Sequence, residues 1–133
     1  MRIGELAAAT GTTTKTLRYY ESIGLVAAPD RTPSGYRAYG ADAVDRVRFI
    51  RDAQASGLSL TEIRSIIELK DAGEGSCAHT RTLLHRHLDE LDEQIERLQQ
   101  ARHELAELAA RADRLDPRAC TDPNRCQVIT GDA

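Results

Sequence analysis

The sequence predicts a mainly α-helical fold: a cluster of short helices, then one very long helix, then a short cysteine-bearing loop. Three observations point there. From Ser76 to Asp116 there is neither glycine nor proline, and leucines recur along that stretch in steps of four and three. Before it, helix start and stop signals come at short intervals, from the threonines at 12 to 14 to the Ser59-Leu60-Thr61-Glu62 box and the glycines at 11, 24, 57 and 73. The complete aromatic set, Tyr19, Tyr20, Tyr36, Tyr39 and Phe49, lies in the first 49 residues. The second half therefore lacks the bulky side chains that close a compact core, and it is not expected to form a second globule.

Composition sets the outer bounds. The chain has 133 residues, 41% hydrophobic and 29% charged, which describes one small folded domain, or a small domain plus an appendage, and not a disordered polymer. No uncharged, proline-free stretch approaches the ~20 residues needed to cross a bilayer. Met1-Arg2-Ile3-Gly4-Glu5-Leu6 carries an acid where a secretory signal needs an apolar run, so the expectation is a cytoplasmic protein with no membrane partner. Three cysteines cannot all pair within one chain. In a reducing compartment such thiols are more often metal ligands or redox groups than staples. The net charge of −3 hides an asymmetry. Residues 1–51 hold 8 basic and 5 acidic groups (+3), whereas residues 71–133 hold 8 and 13 (−5). The local balance of the first part favours a nucleic-acid partner that the whole-chain charge disfavours.

The elements follow in order. Ile3 to Thr10 reads as a short helix with Leu6 and the alanines inward, and Gly11 marks a tight turn. The threonines at 12 to 14 offer N-caps for a second helix over roughly 13–22, which carries Lys15, Thr16, Arg18, Tyr19 and Tyr20 and stops at Gly24. Two short helices about a glycine turn make a helix-turn-helix pattern. Pro29, Pro33 and Gly35 then forbid a helix, and Pro33-Ser34-Gly35 turns between two short extended pieces. Arg31 and Arg37 flank that turn beside Tyr36 and Tyr39, as in a hairpin wing. A third helix is predicted at about 42–55, with Val44, Val47 and Ile50 inward and Arg46, Arg48 and Arg51 available outside. The fourth starts at the capping box, with Leu58 placed to staple onto Ile63 and Ile63, Ile66 and Ile67 as the buried stripe.

The long helix follows. Leu84, Leu88, Leu91, Ile95 and Leu98 alternate at steps of 4, 3, 4 and 3. After one step of 3 to Ala101 the pattern resumes through Leu105, Leu108, Ala112 and Leu115. Two heptad stretches joined by a stammer make a coiled-coil helix, and the small N-terminal unit cannot cover its stripe, so a homodimer is expected. Pro117 ends the helix, and Cys120-Thr-Asp-Pro-Asn-Arg-Cys126 follows as a loop. Two cysteines on a proline-bearing loop can clasp one soft ion.

Thr16-Leu17-Arg18-Tyr19-Tyr20-Glu21, then Gly24-Leu25-Val26, Arg31 and Gly35-Tyr36-Arg37 with Tyr39, resemble the MerR family of transcriptional regulators, and the resemblance covers essentially the whole chain. It implies a winged helix-turn-helix DNA-binding domain with its following helix pair over 1–75. An antiparallel coiled-coil dimerisation helix over 76–116 and a metal-binding loop and tail over 117–133 complete the implied organisation. It also implies a non-enzymatic regulator that binds a pseudo-palindromic promoter site as a dimer and distorts the duplex so that RNA polymerase can open it. Lys15 and Arg18 suit a major-groove encounter with base edges or phosphates, and the resemblance adds Thr16 and Tyr19 to the DNA-binding residues. Arg31, Tyr36 and Arg37 look like phosphate and sugar contacts that fix register. Tyr20 resembles the family's backbone-contacting tyrosine, with a packing role as the alternative.

Cys120 and Cys126 resemble the loop pair of the family's metal-sensing branch. Cys77 stands where sensors of divalent ions have cysteine and sensors of monovalent ions have serine, which implies Zn, Cd, Hg or Pb. His79 is a candidate further ligand, against the alternative of a solvent-facing histidine, and Asp122 a candidate oxygen donor. The loop pair is spaced more tightly than the family pattern, and Ala112 stands where its first cysteine would align. Residues 78–115 form 38 uninterrupted helical positions, roughly 57 Å at ~1.5 Å per residue. Cys77 and the loop lie at opposite ends, so antiparallel helices would bring Cys77 of one protomer to Cys120 and Cys126 of the other. A thiol-redox or Cu(I)-responsive regulator on the same scaffold is the rival reading.

Overall fold

The computed structural model describes residues 1–29, 32–35 and 38–131. Six α-helices follow in order among them: α1 (Ile3–Thr10), α2 (Thr14–Ser22), α3 (Ala41–Ala55), α4 (Leu60–Asp71), α5 (Cys77–Arg114) and α6 (Gln127–Thr130), with a 3₁₀ turn at Pro117–Ala119. No strand occurs among the described residues. The fold is thus mainly α, as expected. The expected hairpin is represented only by its turn, in which Gly35 N–H donates to Thr32 O at 2.8 Å.

The chain divides into two compact units, Met1–His87 and Leu88–Ala133. In the first, α1 packs on α2 and α3, and α3 on α4. Its core joins Leu6, Leu17, Leu25, Val47, Ile50, Ile63, Ile66 and Ile67, all fully buried, with Leu83 from the first turns of α5. Local signals set the boundaries. Gly11 closes α1 at φ +65°, a left-handed conformation that side chains with a Cβ resist. Thr13 caps α2, its hydroxyl oxygen accepting from Thr16 N–H at 3.1 Å. At α4 the box is reciprocal: Glu62 N–H donates to Ser59 Oγ at 3.1 Å and Ser59 N–H to Glu62 Oε1 at 2.9 Å.

Two details differ from expectation. In α1 Leu6 and Ala7 are buried and Ile3 packs partly against the core, whereas Ala8 and Ala9 are exposed, because an eight-residue helix buries a narrow stripe. In α3, Arg46 is not an open cation. Its Nη2 pairs with Asp71 at 2.8 Å and Nη1 reaches Leu25 O at 3.4 Å.

In the second unit α5 continues without a break to Arg114. Leu88, Leu91, Ile95, Leu98 and Leu105 are all at least half exposed, and Leu98 reaches 70%. A single chain therefore leaves the heptad stripe uncovered. Pro117 opens the 3₁₀ turn beyond it, capped by Asp116, whose side chain accepts from Arg118 N–H at 3.0 Å.

Candidate nucleic-acid interface and thiol loop

The first candidate surface is the outer side of α2. Leu17 and Tyr20 hold the helix to the core, and this fixes which residues face solvent. Lys15, Arg18 and Tyr19 then share the exposed side at the i, i+3, i+4 spacing of neighbours on one face, with Tyr19 53% exposed. Thr16 is partly buried, and its hydroxyl accepts from Thr13 Oγ1 at 3.0 Å, so part of its role is to close the helix start. Tyr20 is 3% exposed and donates its phenol proton to Gln54 Oε1 at 2.7 Å. Burial raises its phenol pKa, which keeps the hydroxyl a donor. That environment matches the packing alternative for Tyr20.

Arg31, Tyr36 and Arg37 lie outside the described residues. The base of that segment is anchored, however. Tyr39 is buried, its phenol donates to Glu21 of α2, and its N–H donates to Met1 O at 2.7 Å. On α3, Arg48 reaches Ala9 O at 3.4 Å from an exposed position, and Arg51 is exposed.

The three thiols are free and exposed. Cys77 is the first residue of α5, directly after buried Ser76. Cys120 closes the 3₁₀ turn and Cys126 caps α6, so each sits at a bend and not inside a helix. Among the described residues of one chain no three His, Cys, Asp or Glu side chains converge. As a donor set the thiols suit soft metal ions and not hard ones. Asp122 is already engaged on both carboxylate oxygens, accepting from Asn124 N–H at 2.9 Å and from Arg125 Nε at 2.9 Å. These bonds hold its pKa below the usual carboxylate range.

His79 Nε2 lies 2.7 Å from Ser65 Oγ, whose own proton goes to Glu62 O at 2.6 Å. With that proton committed, Ser65 Oγ accepts from His79 Nε2–H. Eight residues further along α5, about two turns, His87 Nε2 lies 2.8 and 3.0 Å from the Glu62 carboxylate oxygens. With Leu83 between them, these histidines fasten the start of α5 to α4. Glu62 thus serves the α4 cap and His87 together, and the Ser59 N–H and His87 bonds lower its pKa. The sequence shows the capping box but not its second use.

A basic helix on a small helical head, in a chain that also carries a long helix with an uncovered stripe, defines a DNA-binding regulator of the helix-turn-helix class. The chain belongs to the MerR family of transcriptional regulators, which is not an enzyme class: "MerR HTH family regulatory protein" matches residues 1–70, and "MerR, DNA binding" matches residues 44–108. It is 36% identical over 108 residues to the HTH-type transcriptional regulator ZntR homolog of Haemophilus influenzae, covering 81% of this chain and 75% of that one. It is 45% identical over 76 residues to the mercuric resistance operon regulatory protein of Bacillus cereus, covering 57% of this chain and 58% of that protein's length. Among solved structures, the transcription regulator PbrR691 from Ralstonia metallidurans CH34 in complex with lead(II) superposes with a TM-score of 0.74. It is 30% identical, with 100% of this chain and 99% of that chain covered.

Proposed function

We propose that the chain is a metal-responsive transcriptional activator. It acts as a cytoplasmic homodimer on promoter DNA and, together with RNA polymerase, turns on metal-resistance or efflux genes. The observation that carries this reading is the set of three free, exposed thiols, Cys77, Cys120 and Cys126, on a MerR-family chain. The relatives named for mercuric resistance and as a ZntR homolog, and the structural neighbour holding lead(II), support a divalent soft ion: Zn, Cd, Hg or Pb.

Lys15, Arg18 and Tyr19 face the major groove from α2, with Thr16 at its N-terminal end. Arg31, Tyr36 and Arg37 hold phosphates from the wing. The α5 stripe buries itself against a second copy running antiparallel, which sets Cys77 of one protomer beside Cys120 and Cys126 of the other. Cys77 of one protomer with Cys120 and Cys126 of the other would hold a soft ion, whose thiolate coordination would tie the two protomers together. With the protomers so tied, the DNA-binding heads would move as a pair and hold the duplex in a distorted form. Such distortion costs of order 1–6 kcal/mol, which charge-assisted phosphate contacts offset.

Mixed dimers test the site. A Cys77→Ser subunit paired with a Cys120→Ser, Cys126→Ser subunit is expected to retain one three-thiolate site per dimer. Competition among zinc, cadmium, mercury, lead and copper then orders the ions. Cys77→Ser homodimers that bind divalent ions as tightly as the parent would reject the bridging site, and selective Cu(I) binding or a reversible disulfide would favour the rival readings.

A further inference from the structure

We infer that Gln127 is a positioning residue for the thiol pair, tying together the two ends of the loop that carries Cys120 and Cys126. The inference deepens the proposed metal reading and rests on it. Thr121, the residue after Cys120, donates its backbone N–H to the side-chain Oε1 of Gln127, the residue after Cys126, at 3.1 Å. One side-chain bond thus joins the two backbone positions adjacent to the candidate ligands.

The segment between them is folded on itself. Arg125 Nε donates to Asp122 Oδ2 at 2.9 Å, and Asn124 N–H to Asp122 Oδ1 at 2.9 Å. The downstream side is fastened too: Arg125 Nη1 donates to Gly131 O at 3.0 Å, and Arg111 on α5 donates to Val128 O at 2.9 Å. Asp122 acts here as a brace, since a role as ligand would cost it an existing partner.

An open loop must lose conformational freedom when two of its thiolates converge on an ion, and a loop already closed at its neck loses less. Gln127 closes that neck with a neutral acceptor, so it shapes the site without adding charge to it. Groups that orient metal ligands typically tune metal affinity by about 10–100-fold, and Gln127, which acts through the residue after Cys120, belongs at the low end of that range. The sequence alone offers no sign of this, because a glutamine after a cysteine carries no pattern.

The test uses the full-length dimer titrated with Cd(II) alone against a competing chelator, read by thiolate-to-metal absorption. Gln127→Met keeps the side chain's length and removes its acceptor. Its affinity is expected to fall about tenfold, with dimer state and DNA binding unchanged. Gln127→Glu keeps the acceptor and is expected to bind close to the parent at high salt, which screens the added charge. In the metal-free protein, the Thr121 amide is expected to exchange faster in Gln127→Met and at the parental rate in Gln127→Glu. Parental affinity in Gln127→Met, or equal losses in both variants, would overturn the positioning role. A parent that does not bind Cd(II), or that binds it equally well after Cys120→Ser and Cys126→Ser together, would overturn the metal reading and this inference with it.

Discussion

Arg18 and Glu62 show two ways in which one side chain decides a property of the whole. Arg18 is exposed on α2 while its neighbours Leu17 and Tyr20 are buried, so truncating it disturbs no packing. Arg18→Ala is expected to abolish specific operator recognition while leaving the dimer intact. Footprinting checks this, and an unchanged footprint would remove α2 from the recognition role. Glu62 works through its folded-state pKa, which the Ser59 N–H and His87 bonds lower. A carboxylate of depressed pKa contributes stability that is present above its unfolded pKa and is lost as pH falls through the folded one. Acid titration of unfolding is therefore expected to show lost stability below the ordinary carboxylate range, and Glu62→Gln should flatten that part of the curve. Ser59→Ala removes one arm of the cap and should cost about 1 kcal/mol.

At the scale of elements, α5 has the clearest consequence. Its stripe from Leu88 to Leu105 is exposed in the single chain, and a run of apolar side chains at heptad spacing is covered in water by another helix. Leu91→Arg with Leu98→Arg is expected to give monomers in sedimentation while the first unit stays folded, since its core lies before residue 88. The elements were also what the sequence made most legible. Gly11, Thr13, Gly24 and the Ser59–Glu62 box act within one or two turns, so a local reading places the helix ends to within a residue. Contacts across long separations were not legible. Arg46 meets Asp71 and His87 meets Glu62, each pair 25 positions apart, and no local spacing announces either. The four residues of α6 are too few to carry a helical period, so the segment around Cys126 reads as plain loop. Cys77, Cys120 and Cys126 stand out by chemistry, while the Gln127 and Arg111 bonds beside the loop depend on geometry that only the folded chain supplies.

In the whole molecule, a DNA-binding head of the MerR family is followed along the chain by a long helix and a thiol loop. Residues 1–51 carry 8 basic and 5 acidic groups, so the whole-chain net charge of −3 is no obstacle to DNA binding by that part. Under the proposed function, a bound ion changes the shape of DNA already occupied by the protein and does not control occupancy. The most direct measurement follows operator affinity and DNA conformation together, by titrating fluorescently end-labelled promoter DNA with protein, with and without Cd(II). The expected result is similar affinity in both series, with a change in end-to-end distance or base-step reactivity in the presence of metal alone. Release of the protein from DNA on adding metal, with no distorted complex along the way, would contradict it.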